Sequence, residues 1–144
     1  MFTRNLLVVG AVLTLFALPG CGPEPESGPK LTGKVLINGQ PCRPVSIYDF
    51  DIKLVSVEEG PIKKSYMAAI EQDGTFTIHG SIGKGIPTGL YKVSVIGPVV
   101  DASGKPTRKY VPTFSDKATP LEVDIKPEHR ELIIDLEKKT AELH

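Results

Sequence analysis

Groups able to act as nucleophiles, metal ligands or general acids are sparse in this chain, and their spacing narrows the chemistry further. Its 144 residues include three histidines and two cysteines. His79, His129 and His144 are far apart in sequence, without the short His or Cys spacings that build a zinc site. The expectation is therefore no metal and no cofactor. Asp49 and Asp51 flank Phe50. On a strand both carboxylates project from one face and could share a calcium ion. No D-x-[DN]-x-[DN]-G loop surrounds them, so a solvated strand edge is the simpler account. "GKG" at 83–85 lacks the strand-to-helix setting of a phosphate loop and reads as a flexible turn. No serine sits in a nucleophile elbow. These absences point away from an enzyme.

One stretch offers binding chemistry instead. "DASGKPTRKYVPTFSD" (101–116) gathers Lys105, Arg108 and Lys109 beside Tyr110 and Phe114. Basic side chains next to aromatic rings can hold an acidic polymer or an anionic headgroup. These five are the candidate contacts for a ligand or partner. The simpler account is that Tyr110 and Phe114 pin the loop against the edge of the fold. Overall charge argues against nucleic acid: Lys plus Arg equals Asp plus Glu at 17 each, leaving no basic excess. The chain has no Trp, which excludes a Trp-lined sugar platform.

The amino terminus places the protein. After Arg4, the 13 residues Leu6 to Leu18 are apolar apart from Gly10 and Thr14. A membrane-spanning helix needs about 20 residues, a signal-peptide core roughly 7 to 15. Residues 1–20 thus read as an export signal. Leu18, Pro19, Gly20 and Cys21 resemble the lipobox of bacterial lipoproteins. That resemblance implies a diacylglyceryl group on the Cys21 thiol, removal of the signal, and an acylated Cys21 as first residue. Two or more acyl chains give a stable anchor at about 0.8 kcal/mol per buried methylene. The implied location is the cell envelope, with the folded domain outside the cytoplasm on the periplasmic or surface side. Residues 21–30, including "GPEPESGPK", are Pro-rich and apolar-poor, which predicts an extended, flexible spacer. Cys42 is then the remaining thiol. It follows Pro41 at a strand edge, where it is expected to pack as a small buried hydrophobe.

The elements that must carry these residues read as strands. Thirteen Pro and fourteen Gly suit short strands joined by turns. "LTGKVLI" (31–37) places Leu31, Gly33, Val35 and Ile37 on one side. Asn38-Gly39 is a turn pair. Residues 45–57 are rich in β-formers and divide near Asp49. "SYMAAIE" (65–71), Asp73-Gly74 and "TFTIH" (75–79) form a hairpin signature, with Phe76 and Ile78 on one face. "GLYKVSVI" (89–96) follows, with Tyr91, Val93 and Val95 inward. Residues 97–119 read as a long loop. "LEVDI" (121–125) and "ELIIDL" (131–136) alternate cleanly, and 138–144 reads as a polar tail. About seven such strands over residues 31–137 predict an all-β, seven-stranded antiparallel sandwich, transthyretin-like or Ig-like.

Four pieces in order carry a further resemblance. Gly33 to Pro41 fits G-x-V-x-x-x-G-x-P. Asp73 to Phe76 fits D-G-x-F. Pro87 to Val95 fits P-x-G-x-Y-x-V-x-V, and Val111 to Phe114 fits V-P-x-x-F. Over Leu31 to Leu136 the chain resembles the carboxypeptidase-regulatory-like, transthyretin-related domains common in planctomycete lipoproteins. The resemblance implies a seven-stranded β-sandwich in an accessory, non-catalytic role. The transthyretin-related hydroxyisourate hydrolases end in a Tyr-Arg-Gly-Ser signature; this chain ends "AELH", so that activity does not carry over. The expected function is a lipid-anchored structural or protein-interaction domain, held to the membrane through Cys21 and contacting envelope proteins or glycans. The alternative is a carbohydrate- or peptide-binding module using the 101–116 loop.

Overall fold

The computed structural model describes residues 28–46, 50–60, 63–80, 84–101 and 103–144. The expected signal peptide, Cys21, the spacer as far as Ser27, and Asp49 lie outside the described residues.

The fold is all-β, built on two larger sheets and one small one. β1 (Leu31–Ile37) is the centre of the first sheet. Asn38 and Gly39 both take positive φ, 54° and 76°, and fold the chain back into β2 (Gln40–Pro41). That turn twists as its flanking strands do, which is why Asn-Gly occupies it. β3 (Arg43–Pro44) then leaves this sheet for the small one. β4 (Asp51–Ser56) and β5 (Ser65–Ala69) pair antiparallel in the second large sheet.

The Asp73-Gly74 turn is made as its sequence predicts. Asp73 Oδ1 accepts from the Thr75 amide at 3.0 Å and the Thr75 hydroxyl at 2.6 Å. The strands on either side do not form an extended hairpin, however. They touch through one bridge, Ile70 to Phe76, and β6 (Thr75–Ile78) crosses to pair with β1. Burial explains the crossing. Ile70, Phe76 and Ile78 are all at most 2% exposed, and a flat hairpin would leave one face of them in water.

β7 (Gly89–Ile96) lies between β4 and β10 (Glu122–Ile125), antiparallel to both. β11 (Glu131–Asp135) returns to the first sheet beside β1. This pairing is parallel, in register from Thr32↔Glu131 to Leu36↔Asp135, and corrects the expectation of a purely antiparallel fold. The chain crosses from β10 to β11 between sheets, so β11 starts at the same end as β1. The two large sheets also approach at both margins: β5 runs close to β6, and β10 close to a last strand, β12 (Thr140–Leu143).

β12 is a second correction. The expected polar tail 138–144 turns at Lys139 (φ 57°) and pairs with β11. The His144 carbonyl accepts from the Arg130 amide at 2.7 Å and the Glu131 amide at 3.0 Å. Ala141 and Leu143 pack on the core, and the charges around them hide that alternation in the sequence. The expected long loop 97–119 is also structured. It contains β8 (Val99–Val100), β9 (Pro106–Thr107) and the single-turn helix α1 (Val111–Phe114). β3, β8 and β9 make the small sheet. Among the described residues of 45–57, the strand is β4.

The inward residues share one core. Leu31, Val35, Phe76, Ile78, Leu132 and Ile134 come from the first sheet; Ile52, Leu54, Tyr91, Val93, Val123 and Ile125 come from the second. Each fully buried aliphatic side chain contributes roughly 1.5–3 kcal/mol relative to exposure. Tyr91 keeps its ring in the core, and its hydroxyl donates to the Pro87 carbonyl at 2.9 Å. This is how a buried tyrosine satisfies its polar end.

Candidate functional site

The molecule has two unlike poles, one at each end of β1. At the amino-terminal pole the segment before β1 is held by backbone hydrogen bonds. The Gly28 amide donates to the Lys84 carbonyl at 2.9 Å, and the Ile86 amide to the Pro29 carbonyl at 2.8 Å. The approach leaves no room for a side chain: a Cβ on Gly85 would lie 1.8 Å from the Gly28 oxygen. Two expectations are corrected here. Gly85 is a close-packed contact and not part of a free turn. The spacer, expected to reach residue 30, is docked from Gly28, with Pro29 buried.

From Leu31 to Ile37, β1 runs about 20 Å to the opposite pole at roughly 3.3 Å per residue. Three turns meet there: Asn38-Gly39, Gln72-Asp73-Gly74, and the connection from β8 to β9. Between them lies a cleft of about 950 Å³. Its apolar floor includes Ile37, Pro41, Cys42 and Val100. Its polar lining residues include Asn38, Gln40, Gln72, Asp73, Asp101 and Arg43.

The charges of this cleft are fixed by local bonding. Asp101 Oδ1 accepts from the Ser103 amide at 2.9 Å, the Ser103 hydroxyl at 2.6 Å and the Lys105 amide at 3.0 Å. The Ser103 hydroxyl is the first cause that holds the Asp101 carboxyl below its ordinary value. The Thr75 hydroxyl does the same for Asp73. Both carboxyls are thus kept ionised through hydrogen bonds to the charged form. Cys42 is 1% exposed, and burial pushes its thiol up to about 12. It packs as the small hydrophobe expected of it. Arg43 is exposed and has no ion pair or side-chain hydrogen bond among the described residues.

The five loop residues are drawn into different roles. Phe114 is 1% exposed and belongs to the core, so it offers no stacking face, a correction to its place among the candidate contacts. Tyr110 is half-buried, 6.4 Å from the Phe114 ring, and its hydroxyl donates to Glu137 Oε1 at 2.5 Å. Lys109 Nζ reaches the same oxygen at 2.8 Å and lies 5.1 Å from the Tyr110 ring centroid. Glu137, in the turn between β11 and β12, therefore staples the loop to the first sheet. Desolvation, then the Glu137 hydrogen bond, raises the Tyr110 hydroxyl above its ordinary value. Lys109, then Tyr110, holds the Glu137 carboxyl below its own. Lys53 on β4 pairs with Asp116 and ties down the far end of the loop. Lys105 and Arg108 are exposed, with side chains unpaired among the described residues.

The remaining candidates do not come together. His79 and His144 are exposed, and His129 Nδ1 accepts from the Lys126 amide at 3.1 Å. Asp51 is half-buried at the start of β4. Among the described residues no three His, Cys, Asp or Glu side chains gather to hold a metal ion. Sequence reasoning missed Arg43 and Glu137. Arg43 had a signal, a lone charge in the otherwise uncharged run Pro41 to Tyr48; Glu137 had none. Comparison with protein-family models, curated proteins and solved structures returned no match.

Proposed function

We propose that the protein is a lipid-anchored, non-catalytic binding domain of the bacterial cell envelope, a transthyretin-like sandwich of the carboxypeptidase-regulatory-like type. Its anchor is Cys21, and it presents the cleft beside Arg43 to an envelope partner. The observation that carries this reading is the opposition of the two poles. Seven residues, Cys21 to Ser27, precede the docked Gly28. Even fully extended they span about 25 Å. An acyl chain on Cys21 keeps the amino-terminal pole near the bilayer and turns the cleft outward.

Electrostatics support a binding role over a catalytic one. Proton transfer is most efficient when a group titrates near the working pH. The Cys42 thiol is moved far above neutrality, and the Asp73 and Asp101 carboxyls are moved further below it. The 101–116 loop contributes mainly as a wall, since Tyr110, Lys109 and Phe114 are committed to the fold.

Mass spectrometry of the mature amino terminus tests the anchor. The expected species begins at Cys21 and carries diacylglyceryl mass. A soluble product with an unmodified Cys21 removes the anchor from the proposal.

A further inference from the structure

We infer that the cleft takes a short peptide carrying both a free amino group and a free carboxylate. This rests on the binding role proposed above and specifies its ligand.

The residues lining the cleft lead there. Arg43 is an exposed residue lining the cleft, and its guanidinium has no acidic partner among the described residues. A planar guanidinium in this state is suited to a carboxylate, which it can grip with two parallel hydrogen bonds. Asp73 and Asp101 line the same cleft, and each uses Oδ1 for its own turn while Oδ2 takes no hydrogen bond or ion pair among the described residues. A cleft lined by two ionised carboxylates and one guanidinium matches a ligand that carries both an ammonium group and an acid.

The cleft's shape excludes two other modes. Pro41 occupies the edge strand β2 and has no N–H to donate, so this edge cannot accept an added strand along its length. Recognition falls to side chains and to the ligand's ends. Among the described residues no aromatic side chain lines the cleft, so these residues give a sugar ring no stacking platform. Its volume, about 950 Å³, is that of a small-ligand site and fits a peptide of a few residues. The amides of Asn38, Gln40 and Gln72 supply donors and acceptors for the peptide groups between the two charged ends.

Isothermal titration of the mature protein with trialanine tests this directly. N-acetyl-trialanine and trialanine amide serve as arms that remove one charge each. Trialanine is expected to bind, and each cap to weaken it by about tenfold or more, as loss of a charge-assisted contact implies. Arg43→Gln is expected to weaken the free peptide and abolish the difference between acid and amide. Because Arg43 is exposed, its variant should melt like the parent, which separates lost binding from lost fold. Asp101→Asn keeps the turn's acceptor and should selectively weaken peptides with a free amine. Silence with trialanine, equal binding of capped and free peptides, or binding of a neutral oligosaccharide alone overturns the inference. None of these readouts depends on Cys21. Failure of the anchor appears in the mass of the amino terminus, and failure of the ligand class appears only here.

Discussion

Two attachments near opposite ends of β1 solve the same problem, holding a segment onto the end of a β-fold, with different materials. At the amino-terminal pole, Gly28 and Gly85 press backbone on backbone, with no titratable group in the contact. At the cleft pole, side chains hold the loops: Asp73 and Asp101 cap turns, and Glu137 gathers Lys109 and Tyr110. Backbone packing tolerates almost no substitution but ignores pH. Side-chain capping tolerates substitution one bond at a time and responds to protonation.

The largest break strikes both poles together through the core they share. Ile134 is fully buried on β11, next to Val35 in the parallel pair. Ile134→Asp places an unpaired charge there and is expected to cost on the order of 4 kcal/mol or more. That is a large share of the roughly 5–15 kcal/mol typical of a domain. Ile134→Ala, at about 2–5 kcal/mol, is the milder companion. Thermal melts measure both; an unchanged midpoint for the aspartate variant contradicts the inward placement of this residue.

Next in size is a change confined to the amino-terminal pole. Gly85 has φ +75° and a virtual Cβ 1.8 Å from the Gly28 oxygen. Gly85→Val meets both the strained dihedral and the clash, and is expected to cost about 3 kcal/mol. Limited proteolysis should then cut near Gly28 while the cleft-pole turns stay resistant. Cleavage first at 101–107 would reverse the assignment of rigidity between the poles.

What the sequence made legible divides along the same line. Period-two alternation located β1, β7, β10 and β11 almost to the residue, because each has one face in the core and one in water. Asn38-Gly39 and Asp73-Gly74 were legible because turn chemistry is local. The partner of each strand was not. Nothing near Asp73 says that β5 and β6 join different sheets, nor does anything near Glu131 say that β11 runs parallel to β1. Pairing is decided by how distant apolar faces close one core. The cleft was invisible for the same reason: Arg43 comes from β3, while Gln72 and Asp101 come from two separate turns. In the 101–116 loop the sequence displayed charge and aromaticity without showing that Glu137 would consume two of the five residues.

A smaller change sharpens the side-chain half of the comparison. Tyr110→Phe removes the hydroxyl that donates to Glu137 and leaves the ring on Phe114. The expected cost is about 1 kcal/mol, the net worth of one hydrogen bond. The melt should shift slightly, and mobility should rise in 108–118 alone. A loss comparable to that of Gly85→Val would mean that the staple carries the fold and not merely the loop.

The smallest effect needs no mutation. The Asp73, Asp101 and Glu137 carboxyls all sit below their ordinary values in the folded protein. A depressed folded pKa means that the native state favours the ionised form more than the unfolded state does. The resulting stabilisation is complete above the unfolded value and is lost as pH falls through the folded one. For the two aspartates that loss begins below the ordinary value of 3.8. The amides of Thr75, Ser103 and Lys105 donate to these carboxylates. Those of Gly28 and Ile86 donate to backbone carbonyls, which do not titrate. In an NMR titration toward low pH, the first three amide signals should shift and broaden while the last two hold. If the Gly28 and Ile86 signals moved first, the amino-terminal pole would be the pH-sensitive one, and the contrast between backbone packing and side-chain capping would fail.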